Sequence, residues 1–198
     1  LAKKVFPNAN IVVDKFHIVQ LLTRELNKLR INEMKKLNTR SREYKILKRY
    51  WKIPLTKNWE LNSIYFYKNI HFKNMTSSVD ILDYMLGKFP NLKEAYDFYQ
   101  NFLLSISNND VAMLEDILNT RTDKVPICFR KSIKTLKKLR KYVVNSLKYD
   151  YTNAMVEGKN NKIKVIKRVS YGYRSFRNFK ARIMLMERYK IQKGNIHS

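Results

Sequence analysis

The sequence has 198 residues, of which 41 are Lys or Arg and 16 are Asp or Glu, so its formal net charge is +25 at pH 7. Such a charge attracts polyanions, and nucleic acid is the first partner to consider. The hydrophobic fraction of 44% excludes general disorder, and the scarcity of Gly and Pro (four of each) indicates that helix dominates. The enrichment in Lys, Asn, Ile and Tyr also fits an AT-rich genome, which explains the charge without any function.

The remaining composition excludes several classes of protein. Cys128 is the single cysteine, so no internal disulfide can form, and no apolar run approaches the ~18 residues of a membrane span. We therefore expect an intracellular protein in which Cys128 is a small buried hydrophobe. The sequence contains neither a Gly-rich phosphate loop nor a Cys/His cluster with metal-ligand spacing. It begins at Leu1, and we expect it to be part of a longer product.

The first informative stretch is IVVD, at residues 11–14. Its β-branched, apolar character predicts a short buried strand with Asp14 at its tip, where a carboxylate is well placed for chemistry. Asp14 could also cap the helix that follows, because Asp is a favoured N-cap residue. That helix is predicted from apolar residues at helical spacing. They are Phe16, Val19, Leu22, Leu26 and Leu29.

Residues 42–57 mix cations with aromatic residues, and Pro54 is expected to end their helix. This pattern predicts either nucleic-acid binding through phosphate contacts and stacking, or a half-buried helix whose Lys stems lie along apolar surface. Residues 58–76 show no clean period.

Four further helical segments are predicted downstream. Ser77 or Ser78 caps a helix that runs from about Val79 to Gly87. A second helix follows Pro90, and residues 111–120 form a short third one. The segment 128–149 carries one apolar stripe opposite its cations. The expected buried stripes are Leu92, Ala95, Tyr96, Tyr99 and Leu103 in the second helix, and Phe129, Ile133, Leu136, Val143 and Leu147 in the last segment.

The stretch from Asn153 to Arg182 places one carboxylate, Glu157, among amides and cations. On a helix it would form a polar arc that suits a metal ion beside a phosphate backbone. The plainer interpretation is a solvated helix face on which Glu157 makes ordinary i,i+4 pairs. The arc comprises Asn153, Glu157, Asn160, Asn161, Lys164 and Arg168, and the opposite, core-facing side comprises Met155, Val156, Ile163 and Ile166.

Two stretches, FPNANIVVDKFHIVQ and NAMVEGKNNKIKVIKRVSYGYRSFRNFKARI, resemble the bacterial insertion-sequence transposases of the ISL-three group, which are DDE transposases. The second stretch is the more specific. The region between them is similar to the family's helical insertion in length and character, including LKRYWKI.

The resemblance implies a mostly α fold: a partial RNase H-like α/β catalytic domain with a truncated sheet and a large helical insertion. Residues 1–30 would be the partial core with the second-acid strand, 31–150 the insertion subdomain, and 151–198 the C-terminal catalytic helix segment and basic tail. In this family three carboxylates hold two divalent metals, Mg²⁺ or Mn²⁺. Asp14 matches the second acid and Glu157 the third, as catalytic residues and metal ligands.

The resemblance also implies partners and a location. The DNA of insertion-sequence ends and targets would contact the basic segment after Glu157, the full-length protein would form a homo-oligomer, and the location would be the bacterial cytoplasm, at the nucleoid and not in a membrane. The expected DNA-binding residues are Asn161, Lys164, Lys167, Arg168, Arg174 and Arg177.

The sequence departs from the family pattern at its start. The first catalytic Asp should precede Asp14, and residues 1–13 contain no acid. The zinc-binding and helix-turn-helix regions of a full transposase are also missing. We therefore expect this chain alone neither to transpose nor to cleave DNA. Two other interpretations stay open: a non-catalytic helical nucleic-acid-binding protein with steep salt dependence, and a structural helical protein whose charge reflects genome composition.

Overall fold

The computed structural model describes residues 7–8, 10–149 and 154–194, in which helices dominate and one two-stranded sheet occurs. The mostly α prediction is therefore confirmed. The chain divides into two compact units, Leu1–Tyr151 and Thr152–Ser198. The finer division at residue 30 stays a prediction.

The first unit contains seven α-helices and the sheet within its described residues. The helices are α1 (Lys15–Lys35), α2 (Arg42–Arg49), α3 (Ser78–Lys88), α4 (Pro90–Ser107), α5 (Val111–Asn119), α6 (Arg130–Lys138) and α7 (Arg140–Lys148). The strands are β1 (Tyr67–Lys68) and β2 (Met75–Thr76). They pair antiparallel, with Tyr67 opposite Thr76 and Lys68 opposite Met75. Short 3-10 turns cover residues 53–55, 58–60, 122–124 and 127–129.

Helix α1 forms the centre of the first unit and packs against α2, α4 and α7. Its buried stripe is Ile18, Leu22 and Leu26, spaced four residues apart, and burying each such side chain stabilises the fold by about 1.5–3 kcal/mol. Phe16, the first of the apolar residues at helical spacing, lies outside this stripe and is 62% exposed. At 3.6 residues per turn Phe16 lies roughly 120° around the helix from Leu22.

Arg30 continues the buried stripe of α1, although it is charged. Its Nη1 donates to the carbonyl oxygen of Leu47 at 2.6 Å, and its Nε donates to Oδ1 of Asn27 at 2.9 Å. Burial lowers the pKa of Arg30. The Leu47 carbonyl belongs to the last turn of α2, where carbonyls lack helical partners, so Arg30 joins α1 to the end of α2.

The strand predicted at residues 11–14 is not formed, and no part of the expected truncated RNase H-like sheet occurs among the described residues. The segment lies instead against α7. Asn145 Nδ2 donates to the carbonyl oxygen of Ile11 at 3.0 Å, and the Val13 amide points to the carbonyl oxygen of Tyr142 at 3.5 Å. A β-branched run favours extended backbone, but a strand also needs a neighbouring strand to complete its hydrogen bonds.

The downstream helices agree with their predicted boundaries and stripes. Ser77 caps α3 and forms a capping box with Asp80, and every residue of the two expected stripes in α4 and in residues 129–147 is buried. The segment 128–149 is nevertheless two helices, α6 and α7, which meet at Leu139. Cys128 was expected to be buried; it is half-buried and packs against the core, and burial raises the pKa of its thiol to about 11.

The second unit contains α8 (Ala154–Val169) and α9 (Phe176–Gly194). The Gly172 amide donates to the carbonyl of Lys167 and the Tyr171 amide to that of Arg168, both at 3.1 Å. This is the Schellman arrangement that closes a helix C-terminus. Tyr171 and Gly172 both have positive φ, 52° and 98°. Tyr171 and Gly172 therefore lie in the turn between α8 and α9.

Within the described ranges, none of the helices is long and apolar enough to cross a bilayer.

Candidate active site and nucleic-acid interface

Asp14 is held at the N-terminus of α1 as a capping residue. Its Oδ1 accepts a hydrogen bond from the Phe16 amide at 2.8 Å, and its backbone is extended, with φ −61° and ψ 129°. The capping role considered for Asp14 is thus confirmed. A carboxylate offers about four acceptor positions, and the Phe16 amide takes one of them. The cap also fixes the direction of the side chain, because α1 is anchored in the core.

Glu157 lies in the first turn of α8, and its side chain is exposed. Asn161, Lys164 and Arg168 follow it at helical spacing, within about 40° of its direction, and all three are exposed. The four side chains extend over about 16 Å along the helix axis, at 1.5 Å per residue. We call Glu157, Asn161, Lys164 and Arg168 the acid–cation row. Asn160 and Lys167, also exposed, border it.

The opposite side of α8 agrees with its prediction only in part. Ile166, directly across from Glu157, is buried, and Ile163 is half-buried. Val156 was expected to face a core, but it is 57% exposed. Asn153 and the Met155 side chain lie outside the described residues.

The basic surface continues past the turn into α9. Residues 154–182 contain nine Lys or Arg and one acid, Glu157, a net charge of 9 − 1 = +8. Arg174 and Arg177 are exposed, and Tyr173 packs its ring 4.9 Å from that of Phe179, which holds the start of α9 against the turn. A lone acid within so basic a surface is surrounded by groups that attract phosphate.

The donor chemistry of Asp14 and Glu157 fits a hard divalent cation, since carboxylate oxygens are the ligands that Mg²⁺ prefers. Asp14 is half-buried and Glu157 exposed, so both are accessible. Among the described residues, however, no group of three or more His, Cys, Asp or Glu side chains forms a metal site.

The structure also reveals a surface that sequence reasoning left uninterpreted. Residues 62–76 form a hairpin whose apolar side chains project into solvent. The sequence shows aromatic residues without helical period in this segment. The folded structure is needed to show that few of these residues reach the core. The exposed side chains are Ile64, Tyr65, Phe66, Tyr67, Ile70 and Met75.

Comparison with known families identifies the class of protein. The profile of a family described as transposase, the ISL3 type of the DDE transposases, matches residues 1–183. The chain belongs to this family.

One similar curated protein has a different kind of name. Over 121 residues the chain is 39% identical to a Lactococcus lactis subsp. lactis protein named "ATP-dependent protease". The match covers 61% of this chain and 38% of that protein, so the chain spans well under half of its length. No solved structure matches.

Proposed function

We propose that this chain is part of the catalytic domain of a DDE transposase that cuts and rejoins DNA at insertion-sequence ends. The observation that carries the proposal is the acid–cation row: a lone exposed carboxylate in line with an amide and two cations, in a chain of the transposase family. Asp14 is the second acid of the catalytic set and Glu157 the third. The surrounding fold is RNase H-like in the whole protein, with residues 31–150 as its helical insertion.

The site residues have separate tasks. Asp14 and Glu157 would hold the divalent cations, Mg²⁺ or Mn²⁺, which would supply activation of the attacking oxygen and stabilisation of the leaving oxygen at phosphorus. Lys164 and Arg168 bind the phosphates on either side of the cleaved bond, and Asn161 orients the Glu157 carboxylate or a phosphate oxygen. Lys167, Arg174 and Arg177 extend the contact along the DNA backbone. These cations would fix the position of the strand without reading its sequence.

Two acids are fewer than the family's three, and residues 1–13 supply no other. We therefore propose that residues 1–198 bind DNA but do not cleave it. In the whole protein the completed site would act on DNA at the nucleoid, in a homo-oligomer that holds both element ends.

The ATP-dependent activity in the name of the Lactococcus protein is not proposed for this chain. ATP hydrolysis by a P-loop enzyme needs G-x-x-x-x-G-K-[ST], and the four glycines here are Gly87, Gly158, Gly172 and Gly194, none of them five residues from another.

The proposal is tested by duplex DNA binding with and without Mg²⁺ at constant ionic strength, using fluorescence anisotropy. Without metal, Glu157 repels nearby phosphate, so Glu157→Gln should bind about two- to fivefold more tightly than the wild type. With Mg²⁺, the wild type should gain affinity and the variant should not. Glu115→Gln, which removes an exposed acid paired with Arg140 in the first unit, is the matched control and should behave as wild type.

Identical responses of wild type and Glu157→Gln to Mg²⁺ would favour the non-catalytic DNA-binding protein instead. If the chain showed no salt-dependent binding to duplex DNA, both the transposase proposal and the non-catalytic DNA-binding alternative would be overturned. Mg²⁺-dependent nicking of plasmid DNA by the 198-residue chain, abolished by Glu157→Gln, would contradict the proposed inactivity and retain the transposase assignment.

A further inference from the structure

The hairpin at residues 62–76, which we call the aromatic hairpin, exposes more apolar side chain than any function described so far requires. Ile64 is 77% exposed, Tyr65 76%, Phe66 53% and Ile70 78%. Large apolar side chains gathered in one short segment are costly to leave in water, and such patches mark binding surfaces. Strand β2 packs against α3 and Phe72 packs against the core, but these four side chains stay in solvent.

The backbone that carries these side chains is firmly held. Asn62 Oδ1 accepts from the amides of Ile64 and Tyr65 at 3.1 and 2.9 Å, and Asn62 Nδ2 donates to the carbonyl of Tyr65 at 2.7 Å. At the base, buried Asn69 donates to Thr76 Oγ1 and accepts from the Tyr50 hydroxyl. The backbone that presents the exposed rings is therefore fixed, which lowers the entropy cost of binding.

The surroundings of the hairpin are strongly cationic. Residues 42–76 contain eight Lys or Arg and two acids, a net charge of 8 − 2 = +6. One of the acids, Glu43, accepts a hydrogen bond from the Tyr84 hydroxyl at 2.9 Å. Lys68 and Lys73, on the hairpin itself, are both exposed.

Helix α2 supplies the cations nearest the hairpin. Arg42 donates from Nε to the His71 carbonyl at 2.7 Å, and its guanidinium lies 5.0 Å from the Phe72 ring centre. Lys45 and Arg49 follow Arg42 on the same helix face, three and seven residues on. Burial and the charges of Arg49, Lys45 and Arg42 lower the pKa of His71.

We propose that the aromatic hairpin, with Arg42, Lys45, Arg49, Lys68 and Lys73, binds single-stranded DNA. The cations match its phosphates, and the exposed rings match bases that have lost their stacking partners. A duplex hides the faces of its bases, so the rings favour an unpaired strand. An apolar protein partner would gain nothing from the cations around the patch. This surface lies in the first unit and shares no residue with the acid–cation row.

The test compares a labelled 20-nucleotide oligo-dT with a duplex of equal length, by anisotropy. The double variant Tyr65→Ala/Phe66→Ala should lose about tenfold or more in affinity for oligo-dT, because each base–aromatic stack is strong, and less than about twofold for the duplex. Tyr65→Phe/Phe66→Tyr keeps both rings and should bind as wild type. Ile127→Ala, which trims an 80% exposed side chain elsewhere in the same unit, is the control for loss of apolar surface.

A second measurement needs no variant. An oligo-dT carrying 5-iodouracil should crosslink on irradiation to Tyr65 or Phe66 in the wild-type chain. Unchanged oligo-dT affinity in the double variant, or crosslinks only outside the hairpin, would overturn the proposal. So would a change of oligomeric state in the double variant with oligo-dT binding intact, because the patch would then be a protein interface. Loss of Mg²⁺-sensitive duplex binding would contradict the function proposed for the acid–cation row and would leave the proposal for the aromatic hairpin unaffected.

Discussion

Two buried tyrosines on α4 differ in whether their hydroxyl group has a hydrogen-bond partner among the described residues. Tyr99 is fully buried, and its hydroxyl lies 2.7 Å from Thr23 Oγ1 on α1 and 3.4 Å from the Leu55 carbonyl. Tyr96 is also buried, but within the described residues its hydroxyl has no hydrogen-bond partner. Burial, with smaller effects from the charges of Asp97 and Asp83, raises the pKa of Tyr96 to about 12.

The two Tyr→Phe variants should therefore change stability in opposite directions. Tyr96→Phe removes an unsatisfied buried group and should raise the free energy of unfolding by up to ~1 kcal/mol, whereas Tyr99→Phe removes a hydrogen bond and should lower it by about 1 kcal/mol. Urea denaturation followed by circular dichroism measures both. A loss of stability in Tyr96→Phe as large as that in Tyr99→Phe would show that the Tyr96 hydroxyl is satisfied.

His71 should contribute a pH dependence to stability. Its pKa is lowered in the folded state, first by burial and then by Arg49, Lys45 and Arg42. The unfolded chain therefore binds a proton at His71 more readily than the folded chain, so the contribution is fully present above pH ~6.5 and is lost as the pH falls through the folded-state pKa.

The measurement is the free energy of unfolding between pH 7.5 and pH ~5 for wild type and His71→Gln. The wild type should lose more stability than the variant on acidification. Parallel curves would show that the cations of α2 do not act on this histidine, and would remove one support for the cationic surroundings of the hairpin.

At the scale of elements, two glycines near α8 occupy different positions. One lies inside the helix, and the other lies in the turn that follows it. Gly158 lies within α8, and a Cβ there would meet nothing within 4 Å. Gly172 also has open space, but its φ of +98° belongs to the left-handed region. Only the second position uses the conformational freedom of glycine.

Alanine at the two positions should have opposite effects. Gly158→Ala should stabilise α8 by about 0.5–1 kcal/mol through reduced backbone entropy of the unfolded state, and Gly172→Ala should destabilise its C-terminal turn by about 1 kcal/mol. Hydrogen–deuterium exchange of the α8 amides reports both changes. Slower exchange in Gly172→Ala would mean that the Schellman turn is not the structure that ends the helix.

Some of these elements can be predicted from local sequence signals, and others cannot. Helices α3 and α4 were predicted because Ser77, Pro90 and the apolar stripe are local signals. Residues 11–14 were predicted as a strand because composition reports extended backbone, while strand formation depends on a neighbour that no local signal shows. The break between α6 and α7 at Leu139 was missed because the apolar stripe continues through it with unchanged period.

For the molecule as a whole, the candidate site was predictable only in parts. The exposed row from Glu157 to Arg168 follows from helical spacing, and the structure confirms its exposure. The buried charge of Arg30 and the exposed rings of the aromatic hairpin could not be predicted, because each depends on packing between distant segments. The meeting of Asp14 and Glu157, 157 − 14 = 143 residues apart, stays a prediction, and it rests on the family.

That meeting is the central claim, and iron-directed cleavage tests it most directly. Fe²⁺ accepts the same oxygen ligands as Mg²⁺, and with ascorbate and peroxide it cuts the backbone beside its site. We predict two sets of cuts, near residues 14 and 157, both competed by Mg²⁺ and both lost in either Asp14→Asn or Glu157→Gln, with Glu115→Gln unchanged. Cuts near one acid that persist when the other is substituted would contradict a shared metal site.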